Sequence, residues 1–331
     1  MLKFILQRLL YMIPTLILIS IVSFFVIELP PGDFMSSYVA GLASSGSEVS
    51  EATLVNLRES YGLDQALPVR YWKWVSKIIL YGDFGMSFEW NQPVSKLIWE
   101  RLALTLAVSA FALMFTWAIA FPIGILSAVK QYSVADYVAT FFGFLGLAVP
   151  EFLFALVLMV GAFTIFGIGV SGLFSTEFAD APWSWAKVVD LLQHIWIPMI
   201  VLGVSRTAVL IRVLRANLLD ELHRPYVVTA RAKGQEEKKL ILRYPVRAAL
   251  NPFISTVGWE LPNLISGTTI ISVVLSLPTT GPLLLRSLMS QDMYLAGSFI
   301  LMLSVLTLVG TLISDVLLAF LDPRIRLQYE K

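Results

Sequence analysis

The stretch Tyr226-Val-Val-Thr-Ala-Arg-Ala-Lys-Gly234 is short, basic and rich in helix-forming residues, and it ends on a glycine. It stands inside a chain that consists mostly of long apolar runs. Of 331 residues, 57% are hydrophobic and only 14% are charged, whereas a typical soluble domain has about a quarter of its residues charged. The composition predicts an all-α polytopic membrane protein. In a chain that is mostly membrane-spanning, a short basic helix-forming segment that ends on a glycine is expected to be a binding site for a partner.

Six apolar runs are long enough to cross the hydrocarbon core of a bilayer, which takes about 20 residues. The predicted transmembrane helices lie at about 9–29, 102–129, 138–166, 195–214, 252–276 and 293–320. Pro122, Pro150 and Pro262 fall inside the second, third and fifth of these runs. Proline is tolerated in membrane helices when neighbouring groups satisfy the freed carbonyl, so each proline predicts either a simple kink or a gating point.

The lysines and arginines indicate which side of the membrane each segment occupies. Most of them fall at Lys3, Arg8 and Lys130, then from Arg212 to Arg247, and finally at Arg324, Arg326 and Lys331. Cytoplasmic segments of membrane proteins carry an excess of these residues. Both termini and the loop over 215–250 are therefore predicted to be cytoplasmic.

The one long polar region lies between the first two runs. Ser50-Glu51-Ala52-Thr53 is typical of a helix start, and Leu54, Leu57 and Tyr61 follow at helical spacing before Gly62. The chain is thus divided into a first transmembrane helix (1–30), a small, mostly helical extracytoplasmic region (31–98), a transmembrane core (99–322) that includes the cytoplasmic loop (215–250), and a cytoplasmic tail (323–331).

The cytoplasmic loop is predicted to contain two short helices. Pro225 ends the helix that continues from the fourth run, and Tyr226–Lys233 then favours a new helix with Gly234 at the expected C-cap. Ala230 and Ala232 are small enough for a close approach of a partner. A short helix of this kind is suited to a groove on a soluble protein, although a basic juxtamembrane stretch also suits anionic lipid.

The stretch Tyr226–Gly234, with Arg243 and Arg247-Ala-Ala-Leu-Asn-Pro252 after it, resembles the cytoplasmic EAA loop of type I ABC importer permeases, in the dipeptide, oligopeptide and nickel branch. Other segments are similar to that branch in the same order along the chain. They are Arg8-Leu-Leu-Tyr-Met-Ile-Pro14, Pro31-Gly32-Asp33, Tyr61-Gly62-Leu63-Asp64, Gly82-Asp83-Phe84-Gly85-Met86-Ser87 and Leu321-Asp322-Pro323-Arg324-Ile325-Arg326. Together they span nearly the whole chain.

The resemblance implies the type I importer fold with six transmembrane helices, and a site that binds a cytoplasmic ATPase. The residues carried over to that site are Tyr226, Thr229, Ala230, Arg231, Ala232, Lys233 and Gly234. The implied assembly contains a second homologous permease subunit, two ATPase subunits and an extracytoplasmic solute-binding protein in a bacterial or archaeal inner membrane. ATP and Mg are expected on the ATPase subunits, because the chain contains no G-x-x-x-x-G-K-[ST] phosphate loop.

The resemblance leaves the cargo open. Peptides are the usual cargo of the branch, and an oligosaccharide or a metal chelate is the alternative. Val228 stands where the general EAA consensus has glutamate, and the loop over 168–192 is longer than a minimal member needs. Both termini in the cytoplasm and a multi-pass topology agree with the distribution of lysine and arginine.

Ionisable residues inside the predicted spans are functional candidates, because charge is costly in a bilayer. Glu260 and Arg206 either line or gate the pathway, or pair with each other to hold two helices together. Asp315 is expected to be structural. Glu151, directly after Pro150, is expected near one end of the third span.

No catalytic or metal site is predicted. The only histidines, His194 and His223, fall on opposite sides of the membrane in this topology, and the chain has no cysteine. The net charge of +1 gives no reason to expect nucleic acid. An ATP-independent secondary carrier would show inverted repeats, which the sequence lacks, and an intramembrane enzyme would need a recognisable nucleophile and base. The tryptophans are read as interfacial anchors, with Trp72, Trp74 and Trp90 as possible contacts of a solute-binding protein.

Overall fold

The computed structural model describes residues 2–28, 65–167, 171–179, 181–250 and 269–321. Within these ranges the chain is helical, and its β-structure is a single isolated antiparallel bridge between Met86 and Pro93. The helices are α1 (Leu2–Glu28), α2 (Leu67–Tyr81), α3 (Val94–Val129), α4 (Val134–Ala148), α5 (Glu151–Phe166), α6 (Trp185–His194), α7 (Trp196–Leu222), α8 (Pro225–Ala232), α9 (Glu237–Arg243), α10 (Pro245–Ala249), α11 (Thr269–Val274), α12 (Thr280–Met289) and α13 (Met293–Leu321).

Four of these helices are long and apolar enough to cross a membrane, namely α1, α3, α7 and α13. They confirm the first, second, fourth and sixth predicted runs as helices. Three of them extend well beyond the predicted spans, because α1 begins at Leu2, α3 begins at Val94 and α7 continues to Leu222. The end of α7 confirms the predicted continuation of this helix as far as Pro225. Most of the predicted fifth span over 252–276, with Pro262, lies outside the described residues.

The predicted third span over 138–166 is two helices and not one. α4 ends at Ala148, α5 begins at Glu151, and the two are bent by 98°. Val149 is extended, with φ −90° and ψ 121°, as expected for a residue before proline. Pro150 has no N–H to continue a helical hydrogen-bond ladder, so the new helix starts after it.

The described chain divides into two compact units. The first comprises Met1–Leu104 and Thr279–Leu312. One of its apolar clusters joins Phe24, Trp74, Phe88, Met293 and Ala296. Trp74 is therefore only 3% exposed and is not available to a solute-binding protein, contrary to the prediction, whereas Trp72 is 69% exposed.

A buried carboxylate closes the loop before α3 onto α13 in this unit. Asp292 Oδ2 accepts hydrogen bonds from Ser87 Oγ at 2.5 Å and from the Phe88 N–H at 2.8 Å. Its Oδ1 accepts from the Leu295 N–H at 3.1 Å, which caps the first turn of α13. Asp292 is fully buried, and these donors satisfy it where water is absent.

The second unit comprises Thr105–Pro278 and Ile313–Lys331, and α7 lies inside it. Small residues let the helices approach closely, as is common in membranes. A Cβ built on Gly124 of α3 would lie 3.1 Å from Leu214 Cβ of α7. A Cβ built on Gly203 of α7 would lie 2.4 Å from Phe115 Cδ1 of α3, and the Gly203 carbonyl accepts a hydrogen bond from Thr116 Oγ1.

Candidate coupling surface

The segment from α8 to α10 is folded against the C-terminal ends of α3 and α7. Its contacts form one apolar cluster of Ala128, Leu214, Leu218, Val227, Leu240, Ile241, Val246 and Ala249. Val227 is the residue of α8 that enters this cluster, and its exposed fraction is 0%. Burying a valine side chain contributes about 1.5–3 kcal/mol, so Val227 is the main apolar contact that holds this short helix in place.

Local sequence determines where α8 begins and ends. Pro225 is the first helical residue, where its missing N–H costs no hydrogen bond. Gly234 follows the helix with φ +74°, a left-handed conformation that suits glycine. The Gln235 N–H donates to the Ala230 carbonyl at 3.4 Å and closes the last turn. The predicted helix over Tyr226–Lys233 with a glycine stop is thereby confirmed, shifted by one residue.

Most of the residues predicted to bind an ATPase lie on the exposed side of α8 and its cap. The exposed face of α8 consists of Tyr226, Val228, Thr229, Arg231, Ala232, Lys233 and Gly234. Val228 is 53% exposed although its neighbour Val227 is fully buried. Ala230 differs from the rest, because it is half-buried and packs against the apolar cluster. Its small size therefore serves a contact within the protein.

Polar contacts fix the orientation of two residues on this face. Arg231 Nη2 lies 2.6 Å from Glu237 Oε1, and its Nε donates to Glu237 Oε2 at 3.1 Å, which joins α8 to α9. The Tyr226 hydroxyl donates to Glu221 Oε2 at 2.5 Å. Burial, followed by the hydrogen bond to Glu221, raises the pKa of Tyr226 to about 12.

The charges of the segment are partly compensated within it. Arg231 pairs with Glu237, and Lys239 Nζ lies 2.7 Å from Glu236 Oε2. The hydrogen bond from Arg231 lowers the pKa of Glu237. A segment that binds anionic lipid relies on uncompensated lysine and arginine. These two pairs reduce, but do not cancel, the positive charge that the segment offers to anionic lipid.

The predicted pathway residues are only partly described. Glu260 lies outside the described residues, so its pairing with Arg206 remains a prediction. Arg206 of α7 is half-buried and lies close enough to Glu151, at the start of α5, for the two charges to attract. Glu151 is thus the acidic neighbour of Arg206 that the described residues provide.

A buried ion pair near the base of α8 was missed by the sequence reasoning. Asp136 of α4 and Arg215 of α7 form two hydrogen bonds, Nε to Oδ1 at 2.7 Å and Nη2 to Oδ2 at 2.8 Å. Ser133 caps α4 by accepting from the Asp136 N–H, so Ser133-x-x-Asp136 carries a helix-start signal. That signal predicts the helix start but not the arginine, which is 79 positions away.

The long loop over 168–192, whose role the sequence left open, contains a buried lysine where it is described. Lys187 is 7% exposed, and its Nζ donates to the carbonyls of Ala179 at 3.3 Å and Ala181 at 2.6 Å. The same ammonium group lies 4.7 Å from the centre of the Phe174 ring. These contacts tie the loop onto α6.

The two histidines lie at the ends of helices, and each contacts a backbone carbonyl four residues earlier in the chain. His194 Nδ1 lies 2.8 Å from the Asp190 carbonyl, and His223 Nδ1 lies 2.8 Å from the Leu219 carbonyl. They lie at opposite ends of α7, just outside its bounds. Among the residues described, no three His, Asp or Glu side chains are grouped so that they could hold a metal ion.

Two family models match this chain. Residues 120–327 match the family described as the inner membrane component of binding-protein-dependent transport systems. Residues 1–109 match the N-terminal family of the membrane component of binding-protein-dependent transport systems.

Several relatives align with nearly the whole length of the chain. It is 34% identical over 326 residues to the oligopeptide transport system permease protein AppB of Bacillus subtilis, covering 98% of this chain and 99% of the relative. It is 31% identical over 328 residues to the glutathione transport system permease protein GsiC of Salmonella typhi, with coverages of 98% and 99%. It is 29% identical over 340 residues to the dipeptide transport system permease protein DppB of Alkalihalophilus pseudofirmus, with coverages of 98% and 100%.

Proposed function

Since the chain belongs to the family of inner membrane components of binding-protein-dependent transport systems, it is a transport subunit and not an enzyme, and we propose that it imports a peptide-like solute. In this proposal it forms half of the translocation pathway, and separate ATPase subunits drive it through the exposed face of α8. The observation that carries the proposal is the contrast between Val227 and Val228. Val227 is buried and anchors α8 in the core, whereas Val228 is exposed and free to contact a partner.

The cargo is proposed from chemistry that the relatives share. The proteins named above are described as permeases for oligopeptides, for dipeptides and for glutathione, which is itself a tripeptide. Each of these solutes carries amide groups and at least one carboxylate. A peptide-like solute is therefore the common class. Arg206 and Glu260 are our proposed pathway or gating residues, and in this role Arg206 meets solute carboxylates while Glu260 meets ammonium groups.

The remaining parts of the assembly follow from the family. We place a second, homologous permease subunit beside this chain, two ATPase subunits at its cytoplasmic side, and a solute-binding protein at its outer side. ATP and Mg belong to the ATPase subunits in this arrangement. Both termini and α8 are cytoplasmic, because lysine and arginine are concentrated there.

The docking role of α8 can be tested with a matched pair of variants. Val228→Arg places a long, positively charged side chain on the exposed face of α8, and Leu242→Arg places one on α9, where the native leucine is 52% exposed. We expect Val228→Arg to abolish both co-purification of the ATPase subunits and ATP-dependent uptake, without lowering the thermal stability of the permease. Leu242→Arg should retain both. Equal behaviour of the two variants would contradict the assignment to α8.

The cargo is tested by uptake into vesicles that contain the complete transporter and its binding protein. A labelled dipeptide, a labelled pentapeptide, glutathione and a maltooligosaccharide are offered in turn. We expect ATP-dependent accumulation of at least one of the three peptides and none of the oligosaccharide. Accumulation of the oligosaccharide alone would overturn the peptide proposal while leaving the transport function intact.

A further inference from the structure

The Asp136–Arg215 pair uses nearly all the hydrogen-bonding capacity of a buried carboxylate. Asp136 is 3% exposed, and in addition to both bonds from Arg215 it accepts from the Tyr132 N–H at 2.9 Å and from the Ser127 hydroxyl. Ser127 belongs to α3 and Arg215 to α7. The carboxylate therefore joins α3, α4 and α7 at one point. A paired arginine and carboxylate with two parallel bonds holds distance and orientation together.

The Asp136–Arg215 pair lies close to the part of α7 that packs against α8. Arg215 lies seven residues before the end of α7, or about 10 Å along a helix that rises about 1.5 Å per residue. Leu214 and Leu218, on the same part of α7, are fully buried against Val227 of α8. A displacement of α8 therefore moves the helix turn that carries Arg215.

α4 is attached to α7 a second time, near its other end. Ser205 Oγ donates to the Gly146 carbonyl at 3.2 Å. A Cβ on Gly146 would lie 3.3 Å from Val204 Cγ1, which is closer than an ordinary van der Waals contact, so a glycine suits this approach of the two helices. Beyond this attachment α4 ends, and the chain turns by 98° into α5.

Between the two attachments, α4 is bordered by a cavity. The cavity has a volume of about 700 Å³, and its lining, from α3, α4, α5 and α7, is almost entirely apolar. Phe142, Phe154 and Ile211 are among the residues that line it. On its other side α4 packs along α7, so the two polar attachments act together with this packing to set the position of α4.

We propose that the Asp136–Arg215 pair is the link that carries the movement of α8 to the break at Val149–Pro150, with α4 as the lever between them. This inference rests on the function proposed above. Asp136 and Arg215 are then positioning residues of the transport cycle. A buried ion pair adds little net stability, because desolvation offsets the attraction, and its clearest use is to specify one arrangement. Here the ion pair would keep α4 and α7 in one relative arrangement while both helices move during the transport cycle.

The test measures solute uptake and ATP hydrolysis together in vesicles that contain the complete transporter. The variants are Asp136→Asn, Arg215→Gln and the double variant, in which both charges are removed. Glu89→Gln is the matched control, because it removes the acid of another ion pair, with Arg286 at 2.5 Å, in the loop before α3. We expect uptake per ATP hydrolysed to fall at least tenfold in all three variants and to stay within twofold of wild type in the control.

The double variant separates positioning from simple charge compensation. Removing both charges leaves no unpaired buried ion, so the double variant is expected to fold even if a single variant does not. A low ratio of uptake to hydrolysis in the folded double variant supports the proposal, and a wild-type ratio overturns it. Failure of the proposed function looks different, because the wild-type vesicles would then show no ATP-dependent uptake at all.

A distance measurement gives an answer that is independent of transport. The chain has no cysteine, so spin labels can be placed at Val134→Cys and Lys238→Cys without background. Both native residues are exposed. We expect one narrow distance distribution in the wild-type background, with and without ATP, and a broadened distribution when Asp136→Asn is added. A distribution that stays equally narrow with Asp136→Asn would overturn the proposal.

Discussion

At the scale of single residues, local chemistry and distant pairing were predictable to different degrees. The stop at Gly234 and the helix before it follow from the local sequence, because a left-handed cap depends on its immediate neighbours. The Asp136–Arg215 pair does not follow, because nothing in either local sequence states which helices will meet. Ala230 lies between these cases. Its small size was visible, but the direction it faces depends on tertiary packing.

Substitutions of Gly234 can separate the effect of backbone strain from the effect of side-chain size. A Cβ at this position would meet nothing within 4 Å, so substitutions are limited by φ +74° and not by space. Gly234→Val should cost roughly 1–2 kcal/mol or more in the cap, whereas Gly234→Asn should cost less because asparagine tolerates this conformation. Hydrogen exchange of the α8 amides measures the difference, and the valine variant should exchange roughly tenfold faster than wild type.

The control for Gly234 is Gly161→Ala, in the middle of α5. Its Cβ would also meet nothing within 4 Å, and its backbone is helical. Alanine favours a helix more than glycine does, by about 1 kcal/mol, so Gly161→Ala should introduce no backbone strain. The exchange of the α8 amides should therefore stay at the wild-type rate. Equal exchange in Gly234→Val and Gly234→Asn would argue against strain as the cause.

At the scale of helices, the sequence predicted which segments are helical better than where they end. The end of α7 was predicted from Pro225, but α3 begins eight residues before its predicted span, because residues 94–101 start the helix with charged side chains that a hydropathy criterion leaves out. Pro150 marks a break, yet Pro14 and Pro122 lie inside α1 and α3, which continue through them. Proline removes one hydrogen bond in every case. The surrounding packing determines whether the helix continues, and the sequence does not state that packing.

The close contacts between α3 and α7 predict an unexpected order of stability. Gly124→Ala should destabilise the protein by about 1–3 kcal/mol, because the new methyl group meets the Cβ of Leu214, which is fully buried and cannot move without its helix. Gly203→Ala should cost less, although its nominal contact with Phe115 is shorter. The Phe115 ring borders the cavity beside α4 and has space to swing into.

Thermal unfolding of the purified protein in detergent compares the two variants. We expect the lower midpoint for Gly124→Ala. A lower midpoint for Gly203→Ala would mean that Phe115 is held more firmly than the adjacent space suggests. Adding Phe115→Leu to Gly203→Ala should then restore the midpoint.

At the scale of the whole molecule, the family was identified from short segments in a fixed order, and the topology is a prediction from the distribution of lysine and arginine. Both are properties of the complete chain and do not require side-chain positions. The cargo was not predictable in the same way. In our proposal a binding protein selects the solute, and the residues of this chain that meet the solute need only accept its general chemistry.

The topology predicts that two exposed positions are labelled from opposite sides. Trp72→Cys, in α2, should react with a membrane-impermeant maleimide in spheroplasts. Lys233→Cys, at the end of α8, should react only after permeabilisation or in inverted vesicles. The absence of native cysteine makes the unsubstituted chain a blank control. Labelling of both positions from the same side would contradict the topology.

The bend between α4 and α5 has a consequence for the surrounding lipid. The two helices have 15 and 16 residues, and at about 1.5 Å per residue neither exceeds about 24 Å in length. The hydrocarbon core of a typical bilayer is about 30 Å thick, so the membrane beside these helices is expected to thin. That deformation is easier in lipids with short acyl chains. The transporter should therefore work faster in thin bilayers than in thick ones, which makes membrane thickness a control on its rate.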